Sequence, residues 1–142
     1  MIRAVLDTNT LVSAVINVES SVASEIYQSS KNKRFLLIIS SSILAELEDV
    51  LHRDRIMNFH KRSVAELKTV LSELADVSYP VLGNTVVEIV RDPDDNKIIS
   101  AALEGNANFI VSRDRDLLDL KEYQSIKIIT PEEFMRVFRS ED

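Results

Sequence analysis

Four short apolar runs, separated by segments of helical periodicity, constrain the fold of this chain more than any other feature of its sequence. The runs are IRAVL (2–6), FLLII (35–39), FIV (109–111) and IKII (126–129). Continuous apolar runs of this length are typical of strands buried on both faces, and helices between such strands indicate parallel pairing. The sequence therefore predicts an α/β fold, a three-layer sandwich whose central parallel sheet is flanked by helices.

Three motifs mark where helices are expected to begin. SVAE (63–66) forms a capping box, TPEE (130–133) combines a cap, an N1 proline and an N3 glutamate, and DPDD (92–95) carries a similar signal. Gly105 or Asn106 is expected to close the helix that begins at DPDD. Since no linker or repeat interrupts these elements, we expect a single domain over the 142 residues, 1–142.

The composition argues against several classes of protein. The longest uninterrupted apolar stretches hold only four to five residues, so no membrane-spanning helix is predicted. No signal peptide is predicted either, because the first apolar run soon meets an acidic residue, and we expect a cytoplasmic protein that binds no membrane. The absence of cysteine and the presence of only two histidines, His52 and His60, argue against zinc, haem and iron–sulfur chemistry.

Acidic residues stand at four positions where such a fold would gather them. Asp7 ends the first apolar run, Glu46 lies in a helical pattern, Asp95 opens another helix, and Asp114 follows FIVS. Residues just past the carboxyl ends of parallel strands share one edge of the sheet, so Asp7 and Asp114 are expected to converge. Clustered carboxylates need a cation, and oxygen-only ligands suit Mg²⁺ or Mn²⁺. Such ions bind phosphates and activate water, so the pattern indicates phosphodiester cleavage.

Each of these acidic residues also has a purely structural explanation. Asp7 and Asp114 stand where helix N-caps would stand, and Asp95 in a first helical turn interacts favourably with the helix dipole. On the helix SSILAELEDVL, Glu46 and Glu48 flank the apolar stripe at similar angles on opposite sides, so periodicity does not choose between them. The residues by themselves leave these alternatives open.

Other classes of phosphoryl-transfer protein fit less well. With two glycines the chain cannot build a Gly-rich phosphate loop. A haloacid-dehalogenase-type phosphatase needs a second aspartate two residues after the nucleophile, and Asn9 stands at that position after Asp7. A response-regulator receiver needs an aspartate after a middle strand, and serines 40–42 follow FLLII instead. An aspartate-based phosphatase therefore remains the weaker alternative.

Several segments, in this order and spacing, resemble those of the PIN-domain ribonucleases, and more narrowly the toxin-like branch related to VapC toxins. The resemblance implies a PIN-like α/β fold and a metal-dependent endoribonuclease that uses Mg²⁺ or Mn²⁺, the toxin of a type II toxin–antitoxin system. The partners it implies are RNA, an antitoxin protein and a second copy in a homodimer. The segments are DTN (7–9), SSILAELEDVL (41–51), RDPDD (91–95) leading into IISAALEGNANFIVS (98–112), RDRDLL (113–118) and IITPEEF (128–134).

The resemblance also assigns roles to individual residues, and it selects Glu46 over Glu48. Ser112 stands where relatives often carry threonine, which keeps the hydroxyl, and Arg113 stands where many relatives carry glycine. A non-catalytic PIN-like binding module is the alternative within the family. The implied catalytic quartet, whose three aspartates would bind the metal, is Asp7, Glu46, Asp95 and Asp114. The implied supporting polar residues are Asn9, Ser112 and Asp116.

RNA binding needs a local source of positive charge, because the net charge of −6 gives no long-range attraction for phosphates. Arg113 and Arg115 flank Asp114 and are the predicted RNA-binding residues; the alternative is that both are exposed side chains with no such role. If they do not contact RNA, the RNA is expected to bind along Arg53, Arg55, Lys61 and Arg62 instead.

Overall fold

The computed structural model describes residues 1–16 and 21–141, and within them one six-stranded sheet is surrounded by helices. This confirms the predicted α/β fold with a central parallel sheet flanked by helices. No helix in these two stretches is both long and apolar enough to cross a membrane. The strands are β1 (Arg3–Leu6), β2 (Leu36–Ser40), β3 (Tyr79–Val81), β4 (Phe109–Val111), β5 (Glu122–Tyr123) and β6 (Ile126–Ile129). The helices are α1 (Thr8–Ile16), α2 (Val22–Lys31), α3 (Ser41–Leu51), α4 (Asp54–His60), α5 (Val64–Val77), α6 (Pro93–Glu104), α7 (Arg115–Leu118) and α8 (Pro131–Glu141).

The strands lie in the order β3-β2-β1-β4-β6-β5. β1 pairs in parallel with β2 on one side and with β4 on the other, and the β2–β3 and β4–β6 pairs are parallel as well. The four apolar runs form β1, β2, β4 and β6. From β1 the chain adds β2 and then β3 on one side of the sheet, and it adds β4 on the other side of β1. The direction in which strands are added therefore reverses between β1 and β4. Ligands of open α/β sheets bind outside the carboxyl ends of strands at such a point.

Two strands were not predicted, and both lie at the edges of the sheet. β3 contains Pro80, which has no N–H to donate and is tolerated on an edge strand. β5 has two residues and pairs antiparallel with β6, so this edge departs from the parallel arrangement that the sequence predicts. Gln124 and Ser125 connect β5 to β6 with φ angles of 48° and 72°. Such hairpin turns usually carry Gly or Asn, and neither is present here to signal the turn.

The core covers the sheet on both faces. Ala4, Val5 and Leu6 are consecutive in β1 and all buried, which requires packed side chains above and below the strand. Next to β2, the ring of Phe35 packs edge-on against the ring of Phe134, with 5.1 Å between ring centroids. This contact fixes α8 against the start of β2 and so sets where the loop before α8 lies.

The helix signals in the sequence are confirmed. The capping boxes at 63–66 and 130–133 both form, with side chain-to-backbone hydrogen bonds in each direction. Asp92 caps α6 through its side chain, and Gly105 follows the last residue of that helix. A Cβ at Gly105 would lie 2.6 Å from the Ile38 side chain, so the glycine allows the end of α6 to approach β2 closely.

Candidate metal centre

Asp7 leaves the carboxyl end of β1 and is held in place by hydrogen bonds to both of its carboxylate oxygens. Its Oδ1 accepts from the backbone N–H of Thr10 at 2.9 Å, which is the helix-capping role that the sequence allowed. Its Oδ2 accepts from the hydroxyl of Ser112 at 2.5 Å, and Ser112 directly follows the neighbouring strand β4. The backbone N–H of Asp7 donates to the carbonyl of Val111 at 3.1 Å. The predicted convergence of the β1 and β4 strand ends is therefore present, with Ser112 as the link.

The environment of Asp95 is not accounted for by a role in helix capping or in packing. It lies in the first turn of α6 and is only 9% exposed, yet its Oδ2 is buried and accepts no hydrogen bond within the described part of the chain. The cap of this helix is Asp92, whose side chain accepts from the N–H of Asp94, so Asp95 is not needed for capping. Burial, followed by the carboxylates of Asp114, Asp92, Asp116 and Asp7, raises the pKa of Asp95 to about 6.

Asp114 and Asp116 come together with Asp95 from the loop after β4. Asp114 is the N-cap of the short helix α7, and its Oδ1 accepts from the N–H of Asp116 at 2.8 Å. Carboxylate oxygens of Asp95, Asp114 and Asp116 all lie within 4.8 Å of one another. Three carboxylates at this separation repel one another unless a cation or a proton intervenes. The structure thus groups Asp116, predicted only as a supporting residue, directly with two of the predicted ligands.

Glu46 and Glu48 differ clearly in the folded chain. The apolar face of α3 packs Ile43 and Leu47 into the core. This packing turns Glu46 toward the carboxyl ends of the strands, where it is half-buried, and leaves Glu48 exposed. Burial, and then the charge of Asp94, raise the pKa of Glu46 above its ordinary value. The residue that the resemblance selected is therefore the one that the structure places beside the aspartates.

These side chains enclose a small cavity of about 190 Å³, the acidic cavity. Thr8, Asp92 and Asp94 also line it, although none of them was among the predicted site residues. Thr8 has a buried hydroxyl, and a hydrogen bond from its side chain acts against the rise in the pKa of Glu46; its position directly after Asp7 was the available signal. Asp116 contributes its carboxylate to the aspartate group from just outside this lining. The acidic cavity is lined by Asp7, Thr8, Asn9, Glu46, Asp92, Asp94, Asp95, Ile98 and Asp114.

The two arginines beside Asp114 are not equivalent. The guanidinium of Arg113 donates two hydrogen bonds to the carboxylate of Glu132, at 2.9 and 2.6 Å, and this pairing lowers the pKa of Glu132. Arg115 is exposed, and its side chain makes no hydrogen bond or ion pair with any described residue. Arg113 is therefore paired within the protein, because α8 places Glu132 within reach of its guanidinium. RNA binding by Arg113 and Arg115 remains a prediction.

Comparison with known proteins identifies the class to which this fold and acidic group belong. A family model described as the PIN domain matches residues 3–116, which is most of the chain. The chain therefore belongs to the PIN-domain family, as its resemblance implied, and an aspartate-based phosphatase of another family is set aside.

Two relatives show how far the similarity extends. The chain is 30% identical over 145 aligned positions to Uncharacterized protein MJ1680 of Methanocaldococcus jannaschii, with 96% of this chain and 92% of the relative covered. The fold of the present chain matches that of a chain in the crystal structure of VapBC2 from Rickettsia felis bound to a DNA fragment from their promoter, with a TM-score of 0.56. That match covers 89% of this chain and 97% of the other at 18% sequence identity, so it is a similarity of fold.

Proposed function

We propose that this protein is a Mg²⁺- or Mn²⁺-dependent endoribonuclease, which acts in the cytoplasm as the toxin of a type II toxin–antitoxin pair. One observation carries the proposal: the buried Oδ2 of Asp95 has no hydrogen-bond partner in the described structure, within a group of three carboxylates. Burying an unpaired carboxylate is costly unless a cation or proton compensates for it. PIN domains are generally nucleases, so a divalent cation at this position would serve phosphodiester hydrolysis.

The donor set fits a hard divalent cation. All the grouped donors are carboxylate oxygens, and the two histidines of the chain, His52 and His60, do not line the acidic cavity. Asp95, Asp114 and Asp116 are the residues that would hold the ion. Asp7 remains a proposed ligand as well, because each of its oxygens accepts one hydrogen bond and a carboxylate oxygen can accept two partners.

Metal binding at this group would supply a Lewis acid for phosphodiester hydrolysis. The protein's own contribution is positional. Ser112 and Thr10 hold the carboxylate of Asp7 at the strand end, so it need not reorganise when a phosphate arrives. Glu46 lines the same cavity, where its carboxylate would accept a proton from water. Asn9 also lines this cavity, and its side-chain amide would donate to the substrate.

The direct test is incubation of the purified protein with a mixed RNA pool in Mg²⁺ or Mn²⁺, followed by addition of a chelator. We expect cleavage that the chelator stops and that fresh metal restores. Asp95→Asn, purified in the same way, is the control for contaminating nucleases and should be inactive. Intact RNA under all metal conditions would contradict the nuclease proposal and favour a non-catalytic PIN-like binding module.

The toxin role needs a second test. The structural neighbour from Rickettsia felis is VapBC2 bound to a DNA fragment from their promoter, and the shared fold motivates the proposal of an antitoxin partner here. The proposal of a homodimer rests on the resemblance to VapC toxins alone. We expect expression of the wild-type chain to arrest growth and Asp95→Asn to have no such effect. Co-expression of a small DNA-binding protein encoded beside the gene should relieve the arrest. A nuclease that cleaves RNA but leaves growth unaffected would contradict the toxin role alone.

A further inference from the structure

A second and larger cavity adjoins the acidic cavity, and we refer to it as the side cavity. Its volume is about 410 Å³, inside the range of about 300–1,000 Å³ that is typical of small-molecule sites. It shares Asp7, Asn9 and Asp114 with the acidic cavity, so the two spaces meet at the proposed ligands. The described residues that line it are Asp7, Asn9, Thr10, Ser13, Ser21, Val22, Ala23, Arg113, Asp114 and Pro131.

The side cavity differs from the acidic cavity in chemistry. Away from the shared edge, its described lining has no carboxylate; it combines hydroxyl groups and the guanidinium of Arg113 with the apolar surfaces of Val22, Ala23 and Pro131. Polar groups set among apolar walls are the usual lining for a ligand that has flat apolar faces and hydrogen-bonding edges. A nucleobase attached to its sugar has this character.

Two of the polar lining groups make no side-chain hydrogen bond with the described residues. The side chains of Asn9 and Ser13 are exposed and make no hydrogen bond with the described residues. They are four residues apart on α1 and therefore lie on the same face of the helix, one turn from each other. The hydroxyl of Ser21, in contrast, is already bonded to Ser24, from whose N–H it accepts. Among the described residues, the side chains of Asn9 and Ser13 therefore keep donors and acceptors for a ligand along one wall.

A positive charge lies at the side cavity as well. Arg113 lines it, and Glu132 holds the guanidinium through two hydrogen bonds. An arginine has five N–H donors, so donors remain for a phosphate oxygen. No aromatic side chain belongs to the described lining, and sequence-tolerant stacking is therefore not available there. Recognition through the edges of a base, which distinguishes one base from another, is what this lining can provide.

We propose that the side cavity binds the nucleotide next to the cleaved bond of a single-stranded RNA, and that Asn9 and Ser13 select its base. The proposal rests on the nuclease function proposed above and adds a specificity site to it. The scissile phosphate would lie at the shared edge formed by Asp7 and Asp114, and Arg113 would contact the phosphate of the bound nucleotide.

The test uses the four ribonucleoside monophosphates, each titrated with Mg²⁺ into isotope-labelled protein and followed by NMR. We expect one of them to bind more tightly than the others and to shift the amide signals of Ser13, Val22 and Ala23. In Ser13→Trp, which fills the side cavity, binding should weaken by about tenfold, equivalent to roughly 1.4 kcal/mol. The matched control is Ser72→Trp, at an exposed helical serine of α5 that does not line either cavity. It should bind as the wild type does.

The cleavage assay separates this proposal from the function on which it rests. Binding with base preference in the side cavity, combined with no cleavage of RNA, would support the nucleotide site and contradict the nuclease function. Cleavage by Ser13→Trp at the wild-type rate and with the wild-type base preference would overturn the side-cavity proposal, and the nuclease function would stand. Equal binding of all four nucleotides, or signal shifts confined to residues of the acidic cavity, would also overturn it.

Discussion

The Ser112 hydroxyl lies 2.5 Å from Oδ2 of Asp7 and donates a hydrogen bond to it, although 105 positions of sequence separate the two residues. The same hydroxyl accepts from the N–H of Asp114 at 2.9 Å. One buried serine therefore sets the position of a carboxylate after β1 relative to the loop after β4. This pair of hydrogen bonds explains how two strand ends form one site.

Replacing Ser112 with alanine should lower both stability and RNA cleavage. The change leaves the buried Oδ2 of Asp7 without its donor, a loss that is typically worth about 1–3 kcal/mol. Thermal unfolding and cleavage rate at saturating metal would measure the two effects. Ser112→Thr keeps the hydroxyl and should retain most activity. If alanine and threonine behaved alike, the hydrogen bond would have no role in placing Asp7.

Asp95→Asn should stabilise the metal-free protein at neutral pH while it removes cleavage. The folded protein raises the pKa of Asp95 from 3.8 to about 6, so the folded state holds this proton more tightly than the unfolded state. Stability must then fall as pH rises through this interval, from about 4 to about 6, and the asparagine variant avoids the loss. Melting temperatures measured in chelator across this range should diverge as pH rises. A variant less stable than wild type at neutral pH would show that the Asp95 carboxylate stabilises the metal-free fold.

A ligand that binds only the folded state raises the melting temperature of the protein. Asp116→Asn should abolish the rise in melting temperature that Mg²⁺ or Mn²⁺ causes in the wild type. The wild type should be stabilised in proportion to the logarithm of metal concentration once the site is saturated, and a chelator should reverse the effect. Asp119→Asn is the matched control, because Asp119 is exposed at the end of α7 and outside the carboxylate group. Full stabilisation of Asp116→Asn would return Asp116 to a supporting role.

Glu46→Gln should reduce metal-dependent cleavage by about 10²-fold or more, the scale of a lost general base. Glu48→Gln should leave cleavage near the wild-type rate, because its side chain is exposed and does not line the acidic cavity. Cleavage rates with RNA in excess provide the comparison. Strong impairment by Glu48→Gln alone would mean that α3 presents a different face to the substrate.

Changing both Arg113 and Arg115 to alanine should weaken RNA binding, measured in Ca²⁺ in place of Mg²⁺. The slope of the logarithm of affinity against the logarithm of salt concentration should also become less steep, by about one for each phosphate that an arginine no longer neutralises. Fluorescence anisotropy at several salt concentrations measures this, with Lys68→Ala as the control at an exposed lysine of α5. Glu132→Gln should have the opposite effect, because it releases the guanidinium of Arg113. Unchanged affinity in the double variant would place the RNA along Arg53, Arg55, Lys61 and Arg62.

Local features of the sequence were sufficient for the main elements of the fold. The apolar runs predict β1, β2, β4 and β6 because strands buried on both faces need unbroken apolar sequence. The capping motifs predict the starts of α5, α6 and α8 because a cap uses neighbouring residues only. The strands β3 and β5 escaped prediction, since short edge strands bury little and are held by pairing with distant residues.

The candidate site was predictable as a set of residues, and the family resemblance was needed to select Glu46. The sequence could not show which carboxylate oxygens accept hydrogen bonds within the protein and which do not. Asp7, Asp95 and Asp114 all read equally well as helix-start residues, because capping and metal binding use the same side chain. Only the folded chain shows that both oxygens of Asp7 accept hydrogen bonds, whereas Oδ2 of Asp95 is buried without a partner in the described structure.

The sequence by itself determined which segments become strands and helices, and that acidic residues follow the ends of β1 and β4. The tertiary structure alone decided that Ser112 meets Asp7, that Asp116 joins Asp95, and that Glu132 pairs with Arg113. The physical reason is the range of the interactions. Helix caps and apolar periodicity act over a few residues, whereas the partner of a charged side chain depends on how separate elements pack.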